Sequence, residues 1–150
     1  MIIYIAADHR GFYLKETLKQ ALKKDGYEAI DVGNPQSAPD DDYPDFAAAV
    51  AEKVLGTNGE VRGIVICGSG FGVDIVANKF KGVRSALGMS AEQIRVGRND
   101  DDVNVLSLAA DFVTPESALE IAHMFLATPF KAEDRYVRRL AKISEIEDKK

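Results

Sequence analysis

Several features that mark whole classes of protein are scarce in this sequence. It has one cysteine, Cys67, which excludes an intrachain disulfide and favours a reducing compartment. No apolar run approaches the roughly 18 residues that predict a membrane-spanning helix, and the first residues lack the basic stretch of a signal peptide. We therefore expect a cytoplasmic protein with no membrane association.

Positive charge is scarce as well. The chain has 19 lysines and arginines against 24 aspartates and glutamates, which gives a net charge of −5 and a pI of about 5.1. No nucleic-acid partner is expected, because phosphate backbones select clustered Lys and Arg. The remaining composition, 46% hydrophobic and 29% charged, is ordinary for a globular protein, and 150 residues fit one domain over residues 1–150.

Short apolar runs alternate with amphipathic segments along the chain. Ile2–Ala7 and Gly63–Cys67 are typical of parallel strands buried on both faces, whereas Leu14, Leu18 and Leu22 recur as on one face of a helix. This alternation predicts an α/β fold with right-handed crossovers and a five-stranded parallel sheet covered on both faces. The predicted strands cover 2–7, 28–32, 63–67, 83–87 and 104–108. Four helices are predicted over about 14–25, 44–56, 73–79 and 91–96, and two more are predicted to begin after the Thr114 cap and near Ala132.

Polar residues gather next to three of the predicted strands. Asp8-His9-Arg10 follows the first strand, Cys67–Gly72 follows the third, and Asp100–Asp102 precedes the fifth. Ligands of open α/β sheets bind beyond the carboxyl ends of the strands. We therefore expect these three segments to contribute to one site.

The segment Gly68-Ser69-Gly70-Phe71-Gly72 has three glycines in five residues. Such a loop can direct backbone N–H groups inward at the start of a helix and so bind an anion. It differs from the G-x-G-x-x-G fingerprint of dinucleotide-binding proteins, and no Lys-Ser/Thr follows as in a P-loop. Two interpretations stay open: a tight strand-to-helix turn, and a cradle for an oxyanion or enediolate.

Cys67 lies directly before this loop. A free cysteine is most often an inert core residue. A thiol at a helix N-terminus can instead have a lowered pKa, and its thiolate can act as a nucleophile or as a base. His9 has two open interpretations, a surface residue without a role and a contact to phosphate or hydroxyl groups.

Cations and acids provide the remaining candidates. Arg135 and Arg139 are four residues apart and share a helix face. This face is either a solvated basic surface or a phosphate clamp; the second interpretation rests on the match between guanidinium groups and phosphate oxygens. The runs Asp40–Asp42 and Asp100–Asp102 are either solvated turn acids or, together with substrate phosphates, ligands of Mg²⁺.

Taken in order, these segments resemble the ribose-5-phosphate isomerase B / galactose-6-phosphate isomerase family. The resemblance covers nearly the whole chain, and Asp-His-x-Gly together with Cys-Gly-Ser-Gly is specific, although each element alone is weak. The matching segments are Ala7–Phe12, Leu14-Lys15, Asp42–Pro44, Gly63–Gly70 with Gly72, Ala77–Lys79, Gly82–Ala86, Asn104–Leu106, and Arg135 with Arg139.

The resemblance implies a Rossmann-like three-layer sandwich and an aldose–ketose isomerase that uses no metal or cofactor. Its site would be shared between protomers of a homo-oligomer, a dimer or a tetramer. It would interconvert ribose 5-phosphate and ribulose 5-phosphate through a cis-enediolate, with Cys67 as the base and Ser69 holding the enediolate oxygens. The substrate-binding residues implied are Asp8, His9, Tyr43, Gly68, Gly70, Phe71, Gly72, Asp101, Arg135 and Arg139.

Three acidic positions depart from the family pattern. The family's ring-opening histidine falls on Asp100, its neighbouring asparagine falls on Asp101, and Asp111 stands where an arginine is frequent. An ionised aspartate is a poor acid, so we hypothesise that crowding by Asp101 and Asp102 raises a pKa in this run and retains a catalytic proton. The departures leave open another sugar phosphate, such as a hexose 6-phosphate, an open-chain substrate, or a sugar-phosphate binding protein without catalysis.

Overall fold

The computed structural model describes residues 1–58 and 60–149. Among these residues, no helix has both the length and the apolarity needed to cross a membrane. The strands are β1 (Ile2–Ala7), β2 (Glu28–Asp31), β3 (Val61–Cys67), β4 (Ser85–Leu87) and β5 (Val105–Ala109), and the helices are α1 (Phe12–Lys24), α2 (Tyr43–Gly56), α3 (Phe71–Ala77), α4 (Ala91–Asp101), α5 (Pro115–Ala127) and α6 (Asp134–Glu147).

The strands form one parallel sheet in the order β2-β1-β3-β5-β4, with helices on both faces. Side chains alternate along each strand. Ile64 and Ile66 of β3 pack in the core layer shared with α1 and α5, whereas Val65 and Cys67 pack in the layer shared with α2 and α3. The predicted three-layer α/β fold is confirmed, and burial on both faces accounts for the continuous apolar run in β3.

The chain changes its direction of travel across the sheet between β1 and β3. From β1 it passes through α1 to β2 on one side, and then returns through α2 to place β3 on the other side of β1. The crevice at such a switch point is where open α/β sheets bind ligands. The carboxyl ends of β1 and β3, which carry Asp8 and Cys67, border this crevice.

The helix α4 is longer than the sequence predicted. It was expected over 91–96 and extends to Asp101, whereas the other predicted boundaries lie within two residues of the observed ones. Arg98, which is 1% exposed, stabilises the last turn: its Nη1 donates to Asp102 Oδ1 at 2.7 Å and to the Val103 carbonyl at 2.5 Å. Apolar periodicity could not indicate this turn, because a buried charged residue supplies its contacts.

Candidate active site

Glycine is required by the sharp turn between β3 and α3. Gly70 has φ +75°, a left-handed conformation that side chains other than glycine rarely adopt. A Cβ at Gly70 would clash with Leu87 Cδ1. The interpretation of this segment as a tight strand-to-helix turn is confirmed, while its use as an anion cradle stays a prediction.

The Cys67 sulfur lies within this turn. The Gly70 N–H donates a hydrogen bond to Cys67 Sγ at 3.2 Å. Cys67 is 4% exposed, so little water reaches the thiol in one chain. The sulfur is therefore a hydrogen-bonded acceptor at the carboxyl end of the central strand β3.

An apolar cavity of about 240 Å³ opens beside the turn. The half-buried Ser69 borders it, together with the large side chains Phe71, Met89 and Phe112. These three side chains are 63%, 73% and 79% exposed. Such a cluster of exposed apolar residues is unusual for a solvated surface.

Asp8 is fixed at the end of β1, next to the same turn. It is 6% exposed, and its Oδ1 accepts hydrogen bonds from the backbone N–H groups of Arg10 and Gly11, both at 3.0 Å. Gly11 lies so close to β3 that a Cβ would come within 2.7 Å of Ile66 Cγ2. The carboxylate is thus held rigidly near Cys67, with Oδ2 outside these two hydrogen bonds.

His9 is held by Asp41, which the sequence indicated only as a turn acid or a Mg²⁺ ligand. Asp41 Oδ1 accepts from the His9 backbone N–H at 3.0 Å and from ring Nδ1 at 2.8 Å. Burial alone would raise the pKa of the Asp41 carboxyl, but the hydrogen bonds from His9 and from the Asn34 amide hold that pKa below its usual value. This contact leaves Nε2 as the ring nitrogen for a ligand.

Tyr43, the first residue of α2, lies against the glycine turn. Its side chain is 40% exposed, and a Cβ at Gly72 would be 2.7 Å from its Cε2 and Cζ atoms. The structure therefore brings together Tyr43, Gly72, Cys67 and the residues that follow β1.

A second cluster forms around Tyr136 of α6. Arg135 Cζ lies 4.6 Å and Arg139 Cζ 6.0 Å from the Tyr136 ring centroid, which confirms that the two arginines share a face. Hydrogen bonding from Asn99 lowers the pKa of Asp100 despite some burial, and Tyr136, Arg135 and Arg139 add to this effect. The hypothesis of a raised pKa is wrong for Asp100, because amide, phenol and guanidinium groups surround it as well as other acids.

This second cluster lies at the other edge of the sheet. In the parallel register Val105 pairs with Gly63 and Ala109 with Cys67, so Asp100–Asp102, which precede β5, lie near the start of β3. A rise of about 3.3 Å per residue separates Gly63 and Cys67 by about 13 Å. The expectation that these three segments contribute to one site therefore does not hold within a single chain, because residues before a parallel strand occupy its amino edge.

The acidic runs are engaged by protein partners. Asp41 binds His9, and Asp102 binds Arg98 through Oδ1 and Arg84 through Oδ2, each at 2.7 Å. In the part of the chain that the structure describes, no three His, Cys, Asp or Glu side chains are grouped to hold a metal ion. The interpretation of either run as a Mg²⁺ site therefore has no geometric support.

Comparison with known proteins gives consistent matches over nearly the whole chain. Residues 3–143 match the family described as Ribose/Galactose Isomerase. A probable ribose-5-phosphate isomerase B of Mycoplasma genitalium is 41% identical over 145 residues, which cover 97% of this chain and 95% of that protein. The solved structure of ribose-5-phosphate isomerase B from Mycoplasma genitalium with bound ribulose 5-phosphate is similar, with a TM-score of 0.94 at 40% identity and coverage of 99% of this chain and 97% of that one. The Clostridium thermocellum ribose-5-phosphate isomerase B has a TM-score of 0.94 at 42% identity, covering 99% of both chains.

Proposed function

We propose that this chain, which belongs to the ribose/galactose isomerase family, interconverts ribose 5-phosphate and ribulose 5-phosphate. The observation that carries the proposal is the Cys67 sulfur, which lies at the switch point of the sheet and accepts a hydrogen bond from the following turn. The relative that has ribulose 5-phosphate bound shares this fold at 40% identity, which supports the choice of substrate.

Cys67 is proposed as the base that moves a proton between C2 and C1 of the open-chain sugar. Its thiolate removes the proton from C2, the C–H electron pair forms the C1=C2 double bond, and the carbonyl electron pair moves to O1. The proton then returns to C1, while O1 takes up a proton and O2 loses one to become the new carbonyl. Ser69 and the N–H groups of Gly68–Gly72 would stabilise the enediolate oxygens.

The substrate contacts follow from the same arrangement. Asp8, fixed by its backbone hydrogen bonds, would bind sugar hydroxyls through Oδ2. His9, oriented by Asp41, would bind the phosphate through Nε2. Tyr43 and Phe71 would line the walls of the pocket.

We further infer that two copies of the chain share each site. Cys67 lies at the carboxyl edge of the sheet, whereas Arg135 and Arg139 lie beside α4 at the amino edge. One chain therefore cannot place its base and these guanidinium groups on the same small sugar. Asp100, Asp101, Arg135 and Arg139 of a second copy would complete the site.

The exposed apolar cavity beside Ser69 supports this inference. Large apolar patches on a protein surface mark interaction sites, and this one adjoins the proposed substrate pocket. A dimer is sufficient for the arrangement, and a tetramer built from such dimers is compatible with it. The proposed partners are thus a sugar phosphate and further copies of this chain, and the cytoplasm remains the predicted compartment.

Asp100 favours a second candidate function. Its lowered pKa keeps the carboxylate ionised at neutral pH, so it is a poor acid for opening a furanose ring. A protein that takes the open-chain form or binds a sugar phosphate without turnover would not need this acid. The added negative charge also leaves open another sugar phosphate, such as a hexose 6-phosphate.

Solvent exchange separates these candidates. The protein is incubated with ribose 5-phosphate in D₂O, and deuterium at C2 is measured by NMR, in parallel with a panel of pentose and hexose phosphates. The proposal predicts exchange with ribose 5-phosphate that persists in EDTA and is abolished in Cys67→Ala, while the melting curve of that variant stays cooperative. Binding without exchange would establish the sugar-phosphate binding protein, exchange with only another sugar phosphate would establish a different substrate, and full exchange by Cys67→Ala would remove cysteine from the mechanism.

A further inference from the structure

Arg10 and Asp111 form an ion pair that spans the end of the central strand. Arg10 follows β1 and Asp111 follows β5, and these two strands flank β3 in the sheet. The Arg10 Nη2 group donates to Asp111 Oδ2. The contact joins residues 101 positions apart and lies over the turn that carries Cys67.

The guanidinium occupies the space that a side chain at position 68 would fill. A Cβ on Gly68 would lie 2.5 Å from Arg10 Nε, 2.7 Å from Arg10 Cζ and 2.7 Å from Asp111 Oδ2. Glycine at this position therefore lets the guanidinium approach the backbone of the turn.

Both ends of the bridge are anchored by the backbone. The Asp111 N–H donates to the Gly68 carbonyl at 3.0 Å, and the Arg10 N–H donates to Asp8 Oδ1 at 3.0 Å. The Arg10 and Asp111 side chains are 59% and 35% exposed. Exposed pairs add little to stability, so the pair is better explained as an oriented cation at the mouth of the site.

The position of this cation relative to the sulfur indicates which part of the substrate it meets. Cys67 points into the layer of α2 and α3. Because side chains alternate along a strand, the next position, Gly68, faces the opposite side of β3, and the Arg10 guanidinium lies beside Gly68. A substrate with its reacting carbons at Cys67 would meet Arg10 with its far end. His9, the residue before Arg10, is at the same strand end.

We propose that Arg10 binds the phosphate of the substrate together with His9, and that Asp111 is a positioning residue that aims the guanidinium. The proposal rests on the function proposed above. Without Arg10, the Asp111 carboxylate would repel a phosphate dianion at the mouth of the site, and the neighbouring guanidinium offsets this negative charge. Asp111 engages one guanidinium nitrogen, so other donors of the planar fork can match phosphate oxygens.

The test uses kinetics together with inorganic phosphate as a binding probe. The variants are Arg10→Ala, Arg10→Lys and the double variant Arg10→Ala/Asp111→Arg, which moves the guanidinium to the other side of the bridge. Arg10→Ala is expected to raise KM for ribose 5-phosphate, and the Kd of inorganic phosphate by calorimetry, about tenfold with little change in kcat. Arg10→Lys should be intermediate because lysine is a point charge without a fork.

The relocated guanidinium distinguishes anion binding from a structural role of the pair. The double variant should recover most of the lost phosphate affinity, although the original ion pair is gone. Arg95→Ala is the matched control, since Arg95 is also exposed and paired with a carboxylate, that of Glu92, and it should change neither KM nor Kd. Unchanged KM and Kd in Arg10→Ala, or a fall in kcat alone, would overturn the proposal. If the parent protein shows no isomerisation, the proposed function fails, whereas the phosphate Kd still decides the role of Arg10.

Discussion

Replacing Asp41 with alanine should weaken substrate binding, although Asp41 is not predicted to touch the substrate. Asp41 is the acceptor for both the backbone N–H and the ring Nδ1 of His9, at 3.0 and 2.8 Å, and it also binds the Asn34 amide at 3.2 Å. Without it, the His9 ring loses the contact that fixes its orientation. The loss should therefore appear in KM more than in kcat.

The size of the effect follows from these contacts. A hydrogen bond to a charged group contributes about 1.5–3 kcal/mol when buried, and the Asp41 side chain is 7% exposed whereas His9 is 34% exposed. We expect Asp41→Ala to lower the free energy of unfolding by about 1–3 kcal/mol. If the loss of this orientation costs the substrate complex about 1.4 kcal/mol of binding free energy, KM rises about tenfold.

Steady-state kinetics and urea unfolding measure the two quantities. Asp41→Asn keeps an oxygen acceptor for the His9 N–H groups, so its KM should lie between that of the parent protein and that of Asp41→Ala. Asp40→Ala is the matched control, because Asp40 is an exposed neighbour in the same acidic run. A KM for Asp41→Ala equal to that of the parent, or an equal loss in Asp40→Ala, would refute the positioning role of Asp41.

Two further substitutions test the packing around the site. Gly70→Ala should cost about 2–4 kcal/mol in urea unfolding, because it adds a left-handed backbone penalty to a clash with Leu87. Lys15→Met should cost about 3 kcal/mol, because Lys15 is fully buried with Nζ 2.8 Å from Asp31 Oδ2. Burial alone would raise the pKa of Asp31, but hydrogen bonds from Lys15 and Lys19 lower this pKa below 3.8. The stabilisation that the ionised Asp31 contributes is therefore present above about pH 3.8 and is lost as the pH falls through the folded-state pKa.

Each substitution has a control of the same type. Gly56→Ala adds a methyl group into space that the described residues leave open within 4 Å, apart from its chain neighbours and its own helix backbone, and it should leave stability nearly unchanged. Lys19→Met removes the other lysine bound to Asp31, but Lys19 is 25% exposed, so the cost should be about 1 kcal/mol or less. Equal losses in the test and control variants would contradict the burial and strain on which the two predictions depend.

The sequence predicted those parts of the molecule that local patterns determine. The strands β1 and β3 are apolar runs, and the turn after Cys67 is specified by Gly68 and Gly70, so the order of elements and the position of the sulfur could be read in advance. The family resemblance supplied the candidate roles, and the proposal of a second copy is what places all of them in one substrate pocket.

Contacts between distant residues were beyond sequence reasoning. Asp41 and His9 are 32 positions apart and no spacing rule joins them. Asp100 was judged from its acidic neighbours alone, whereas the hydrogen bond from Asn99 lowers its pKa, and Tyr136 and two guanidinium groups of another helix add to this effect. The pairing of Arg10 with Asp111 depends on β1 and β5 flanking β3, which the strand order alone reveals.

The central claim is that Cys67 of one chain and Arg135 and Arg139 of another form one isomerase site. Mixing two inactive variants tests this claim most directly. Cys67→Ala and the double variant Arg135→Ala/Arg139→Ala are each expected to lack activity alone. Co-expressed as a mixed dimer population, they should regain about a quarter of the parent activity, since half the dimers are mixed and each mixed dimer has one intact site. A mixture that stays inactive although mixed dimers form would contradict the shared site.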